Sequence, residues 1–145
     1  MSDQPSQTYA SHRRFDPLFH FVAFPLLLAF FVISAIPLWR HPGLATAGQV
    51  VLAVALLILI LKVRLYALTV QDRVIRLEET LRMQRLLPEE LKARIPELKR
   101  DQFVGLRFAA DGELADLVRR ALAEKPNGET IKKEIKTWRG DHFRV

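Results

Sequence analysis

The side chains able to do chemistry are plentiful in this sequence, but their spacing assembles no reaction. The histidines are His12, His20, His41 and His142, and none has a second histidine three or four residues away. Metal sites on helices are usually built at that spacing. Asp141-His142 is adjacent in sequence and needs a third group before it could act as an oriented base. The six glycines are scattered, so no loop can cradle a phosphate. The chain has no cysteine, which excludes disulfides, thiol nucleophiles and thiolate-bound zinc or iron–sulfur clusters. The carboxylates mostly sit where they would cap helices or pair with a neighbouring cation, so no catalytic pair is named. The expectation is therefore a protein that is not an enzyme, with no catalytic residue, no metal ligand, no cofactor and no identifiable small-molecule substrate.

Cations offer the other chemistry. The net charge is +6, and residues 62–145 carry 19 Lys/Arg against 14 Asp/Glu, or +5. A basic module is drawn to anionic lipid or to nucleic acid. Lys132, Lys133, Lys136 and Arg139 flank an apolar stripe of Ile131, Ile135 and Trp138. The stripe reads as a last helix docked in a core with solvated lysines. It could also rest on a lipid surface, or follow the Pro126-Asn127-Gly128 turn as the second helix of a helix-turn-helix. Docking is preferred because the stripe is narrow, and nucleic acid is not expected as a partner.

These residues are positioned by two long uncharged stretches. Phe21–Trp39 and Gly43–Leu61 each run 19 residues without a charge, separated only by Arg40-His41-Pro42-Gly43. About 20 apolar residues cross a hydrocarbon core of roughly 30 Å. Twelve Leu/Ile/Phe/Val side chains in the first and eleven in Leu44–Leu61 supply several kcal/mol of insertion energy, at about −0.3 to −0.6 kcal/mol each. The first run is too long for the apolar part of a signal peptide, so no cleavage is expected. No charge lies inside either stretch, which leaves no intramembrane relay, and His20 falls at an interface. Arg13 and Arg14 precede the first stretch and Lys62, Arg64, Arg73 and Arg76 follow the second, while the connecting loop has only Arg40. The positive-inside rule then puts both termini in the cytoplasm. Pro25 is expected to kink the first helix, and the small face of Ala45, Gly48, Leu52 and Ala55 to meet it closely.

Beyond the second stretch the chain reads as helical. Gln49–Leu87 contains no Gly or Pro across 39 residues, which as one helix would measure about 58 Å. In its later half Val70, Val74, Leu77 and Leu81 alternate spacings of four and three, with Asp72/Arg76 and Glu78/Arg82 as i,i+4 pairs. The pattern fails at Gln84 and Pro88, so packing of this stripe on the chain's own later helices is expected ahead of self-association. Helices from Pro88 to Ile95 and from Leu98 to Ala109 follow, with Pro96 as the break. Asp111 is the expected N-cap of a helix carrying Leu114, Leu117, Val118, Ala121 and Leu122. Asn127 is the expected cap of the last helix.

Four segments also carry a family resemblance: Thr8-Tyr9 with His12-Arg13-Arg14-Phe15; Leu65 through Glu78; Leu106-Arg107-Phe108-Ala109-Ala110-Asp111; and Ile131 through Trp138 with Asp141-His142 and Arg144-Val145. Together they resemble an uncharacterised family of small bacterial two-span membrane proteins, catalogued as a domain of unknown function and sometimes labelled transporter permease. The resemblance implies location in the bacterial inner membrane and brings no established activity. It directs attention to Asp72, Arg73, Arg76, Arg107, Asp111, Trp138, Asp141 and Arg144 as an interaction or structural polar cluster. Arg73 or Arg107 could pair with Asp111 or Asp141 to lock the fold, or the group could recognise a headgroup or partner, since Arg suits both carboxylate and phosphate.

The expected architecture is an all-α membrane protein: a flexible cytoplasmic segment 1–14, a transmembrane hairpin over 15–64 with spans of about 18–39 and 44–64, and a basic cytoplasmic helical domain over 65–145. The second span continues into a helical stalk with a small C-terminal bundle. The expected function is a membrane-anchored interaction or accessory protein, with the lipid bilayer, a second copy or another membrane protein as partners. The alternatives are an oligomeric transport or channel subunit and a membrane-tethered nucleic-acid binder.

Overall fold

The computed structural model describes residues 8–11 and 16–141 and is helical, with no strand among them. The chain divides into two compact units, Arg14–Leu68 and Thr69–Arg144, the second joined by the N-terminal Met1–Arg13. In the first unit a π-helical turn, Leu18–Ala23, leads directly into α1, Phe24–Arg40. The Phe24 amide bonds back to the Phe19 carbonyl. Pro25 follows at the start of α1, so the missing proline donor is met by a change of helical register just before it. Asp16 starts this segment, its carboxylate accepting from the Phe19 amide at 3.1 Å. The Arg64 guanidinium lies 5.4 Å from the Phe19 ring centre.

Helix α2, Leu44–Leu86, is a single 43-residue helix. Thr46 closes its first turn, accepting from the Gly43 amide at 3.0 Å. The expected close approach along Ala45 and Gly48 is not made: Gly48 has open space where a side chain would stand. Among the described residues of this unit the buried positions are Ser34 and Ala53 instead. Both α1 with its π-turn and α2 are long and apolar enough to cross a membrane, and only 6% of the most apolar stretch of each is buried.

The second unit holds the core. Met83, Leu87, Leu91, Ile95, Leu98, Phe103, Leu106, Phe108, Leu114, Val118, Leu122 and Ile131 are buried together. Helix α2 enters it through Ile75, Glu79, Arg82 and Met83, not through Val70, Val74, Leu77 and Leu81, which stay exposed. That corrects the sequence reading: the buried row contains two charged residues, which concealed its phase. Short elements follow: α3 at Glu89–Lys92, a 3-10 turn at Ile95–Glu97 around Pro96, and α4 at Arg100–Leu106. Next come α5 at Asp111–Glu124 and α6 at Gly128–Glu134.

Helices α4 and α6 cross at two glycines. A Cβ on Gly105 would stand 2.8 Å from the Gly128 carbonyl oxygen. Gln102, 2% exposed, stitches the crossing to α5 by donating to the carbonyls of Ala121 at 3.1 Å and Pro126 at 3.0 Å. Asn127 caps α6 as expected, accepting from the Thr130 amide at 2.8 Å. The N-cap of α5 is Ala110, and Asp111 is its first helical residue. The last helix is shorter than its apolar stripe suggests, ending at Glu134, with Ile135 extended. The turn around Thr8–Ser11 rests on α6 through a 2.6 Å hydrogen bond from the Tyr9 hydroxyl to Glu129. The remainder of the expected flexible segment 1–14 lies outside the described residues.

Candidate functional site

Arg82 is the centre of the polar chemistry in the second unit. One helical turn after Glu79, it leaves α2 on the side that packs into the core and is 5% exposed. A buried guanidinium is tolerable only when its donors are met. Here Nη1 donates to Glu79 at 2.9 Å, Nη2 to the Ala109 carbonyl at 2.7 Å and to Asp111 at 2.6 Å, and Nε to Asp111 at 3.0 Å. Glu79 is 4% exposed and its second oxygen accepts from Arg139 at 3.1 Å. Two cations and two carboxylates thus close on one another without net charge. The Asp111 carboxyl is held below its ordinary pKa, chiefly by the hydrogen bond from Arg82, and further by the positive charges of Arg82, Arg139 and Arg85.

This arrangement joins three segments far apart in sequence. Phe108–Ala110 and Thr137–Arg139 run antiparallel beside each other, with a bridge between Ala109 and Trp138. The Ala110 amide donates to Thr137 at 3.0 Å and the Arg139 amide to Phe108 at 2.7 Å. Glu113 ends α6 from outside, its two oxygens taking the amides of Lys136 at 3.1 Å and Thr137 at 3.0 Å. Trp138 is therefore not on a helix, and its ring lies 5.0 Å from that of Phe108. Lys136 and Arg139 also lie beyond the helix, which keeps only Lys132 and Lys133 of the expected basic row. Next to the bridge, the Arg107 Nε lies 3.2 Å from Asp141, with the guanidinium 4.5 Å from the Phe108 ring centre.

A groove of about 560 Å³ opens over the cluster, lined by Arg82, Arg85, Leu86, Asp111, Trp138 and Arg139 among others. Of its charged lining groups, Arg82, Asp111 and Arg139 are engaged in the network with Glu79. Among the described residues no three His, Asp or Glu side chains gather as they would around a metal ion.

Of the residues singled out by sequence, Asp111 and Trp138 line this groove, and Arg107 and Asp141 pair beside it. Asp72, Arg73 and Arg76 lie elsewhere along α2. Asp72 is 3.7 Å from Arg100, Arg76 lies over the Phe103 ring at 5.6 Å, and Arg73 is exposed. Arg144 lies outside the described residues. Sequence reasoning missed Glu79, Arg82, Glu113 and Arg139. It paired Arg82 with Glu78 on the surface, whereas Arg82 is buried and takes Glu79. The available signal was the i, i+4, i+7, i+8 run of Ile75, Glu79, Arg82 and Met83, which ends one turn before a buried Leu87.

Over residues 1–145 the chain matches a family of unknown function, DUF6526, and it belongs to that family. No curated protein and no solved structure matches it.

Proposed function

We propose that this chain is an integral inner-membrane protein without enzymatic activity, anchored by α1 and α2, whose second unit is a cytoplasmic interaction module. The observation that carries the reading is the outward-facing apolar surface of the two long helices. Only 6% of the most apolar stretch of each is buried, and Leu26, Ile33, Leu44, Val51, Ile58 and Leu59 are all more than half exposed. Apolar surface this extensive on a soluble monomer would drive association, whereas lipid covers it at no cost. The asymmetry of Lys and Arg about the spans supports cytoplasmic termini. The mutual pairing of Arg82, Arg139, Glu79 and Asp111, which joins α2 to two later segments, supports a structural role for the cluster.

Absence of cysteine makes the topology testable by single labels. Gly43→Cys is expected to react with a membrane-impermeant maleimide in intact spheroplasts, and Arg119→Cys only after permeabilisation. The protein should resist alkaline extraction. Release into the soluble fraction, or the opposite labelling pattern, refutes the anchor or its orientation. The interaction module is tested by a photoreactive residue replacing Arg85 at the groove, in cells. A reproducible protein adduct is expected, and none at all would count against the module.

A further inference from the structure

Helix α2 has two faces in the second unit, and the core uses only one. Ile75, Glu79, Arg82 and Met83 turn inward. Roughly 150° around the axis, at 100° per residue, stand Val70, Val74, Leu77 and Leu81, exposed by 59%, 47%, 61% and 52%. Their 4-3-4 spacing is the seam of a two-stranded coiled coil, with Val74 and Leu81 at a and Val70 and Leu77 at d. We infer that this face pairs in parallel with the same face of a second copy, with Arg73 set against the partner's Glu78.

The flanking charges select this occupant. With Val74 at a, Arg73 falls at g of the preceding heptad and Glu78 at e of the heptad that Val74 opens, and a parallel pair brings g of one chain to e five residues on in the other. Arg73 and Glu78 are five residues apart, exposed, and opposite in charge. Two-fold symmetry makes the contact twice. The other facing positions are Tyr66 with Gln71 and Thr80 with Arg85, so no like charges meet. An antiparallel pair has no such match, because it sets g against g and e against e, so Arg73 and Glu78 no longer meet. The inference rests on the membrane reading above, since two copies inserted the same way present α2 in parallel.

The test uses the full-length chain in native membranes, oxidised after isolation. Single cysteines replace Val74 and Leu77 on the seam, and Thr69 on the row that leads to Met83. The expected result is a shift from monomer to disulfide-linked dimer for Val74→Cys and Leu77→Cys, and none for Thr69→Cys. Adding Arg73→Glu to Leu77→Cys should abolish the dimer band, and adding Glu78→Arg as well should restore it. All the substituted side chains are exposed in the single chain, so each variant should keep the helical circular-dichroism spectrum of the parent, which serves as the folding control.

Equal linking at Thr69, no dimer at either seam position, or no rescue by the charge swap overturns the pairing. A mixed disulfide between Leu77→Cys and a different protein overturns it too, while leaving the interaction module intact. Loss of the dimer together with failure of the Arg85 photoprobe to capture any protein would remove both.

Discussion

Replacing Arg82 by Met is expected to be the most damaging single change in the polar cluster, and the reason is asymmetric burial. Glu79 is 4% exposed, so after the substitution it keeps only Arg139, whose side chain is 51% exposed, at 3.1 Å. The Ala109 carbonyl also loses its 2.7 Å donor. Stranding one member of a buried ion pair costs about 3–5 kcal/mol. The Asp111 side of the network behaves differently, because its carboxylate is 65% exposed and water replaces the lost contact, leaving that half worth about 1 kcal/mol at most. Arg82→Met should therefore cost about 3–4 kcal/mol and Asp111→Asn about 1 kcal/mol or less. For a unit of this size the first corresponds to a fall in Tm of more than about 10 °C. The double variant Glu79→Leu with Arg82→Met should be more stable than Arg82→Met alone, since it removes the stranded charge as well as its partner. Thermal and urea unfolding of the protein in mild detergent, followed by the fluorescence of Trp138 in a Trp39→Phe background, would measure all three. The reasoning is refuted if Asp111→Asn is as harmful as Arg82→Met, or if the double variant is less stable than the single.

The same network has a pH signature. Because Asp111 is held below its ordinary pKa by Arg82, its contribution is present above the unfolded value of about 4. It is lost as pH falls through the lower folded value. The Tm difference between the wild-type chain and Asp111→Asn should thus be constant near neutrality and vanish in acid, and a difference that grows on acidification would contradict the assignment. Gly128→Ala should destabilise by more than Gly105→Ala: its Cβ is driven into the Asp101 carbonyl, whereas that of Gly105 meets Gly128 at 2.8 Å. Overpacking of this kind costs about 1–3 kcal/mol or more, read from urea midpoints. Glu113→Ala removes the acceptor of two backbone amides. It should speed hydrogen exchange at Lys136 and Thr137 selectively, at a cost of about 1–2 kcal/mol.

Those elements of the fold whose signal is local were legible in the sequence. The two long apolar helices follow from uninterrupted composition, the Asn127 cap from residue type, and the inward face of α5 from Leu114, Val118, Ala121 and Leu122 at helical spacing. Tertiary hydrogen bonds governed the rest. The period through Ile131, Ile135 and Trp138 is helical, yet the helix stops at Glu134 because Glu113 and the backbone at Phe108 and Ala110 claim the next amides and carbonyl. Asp111 has the composition of an N-cap, but its carboxylate points to Arg82. Neither competitor lies within the window that sequence periodicity samples.

The phase of α2 follows from what each face can satisfy, and apolarity alone misassigns it. The row of Val70, Val74, Leu77 and Leu81 is the more hydrophobic, and on burial energy alone it would face the core. The row that does face it contains Glu79 and Arg82, which bring five short hydrogen bonds, one between themselves and four with Asp111, Arg139 and the Ala109 carbonyl. A buried charge network rarely stabilises more than an apolar replacement would, so its retention argues for placement: it fixes which face of α2 the core receives. With that face fixed by specific polar geometry, Val70, Val74, Leu77 and Leu81 are held outward, apolar and aligned. Such a seam is costly to leave in water, and the core could have absorbed it by a rotation of α2 that the Arg82 network forbids. Exchanging Glu79 and Arg82 for leucines should therefore loosen the choice of face. The cysteine pattern would report it as linking at Thr69 that rises while linking at Leu77 falls; an unchanged pattern would show that apolar packing alone sets the phase.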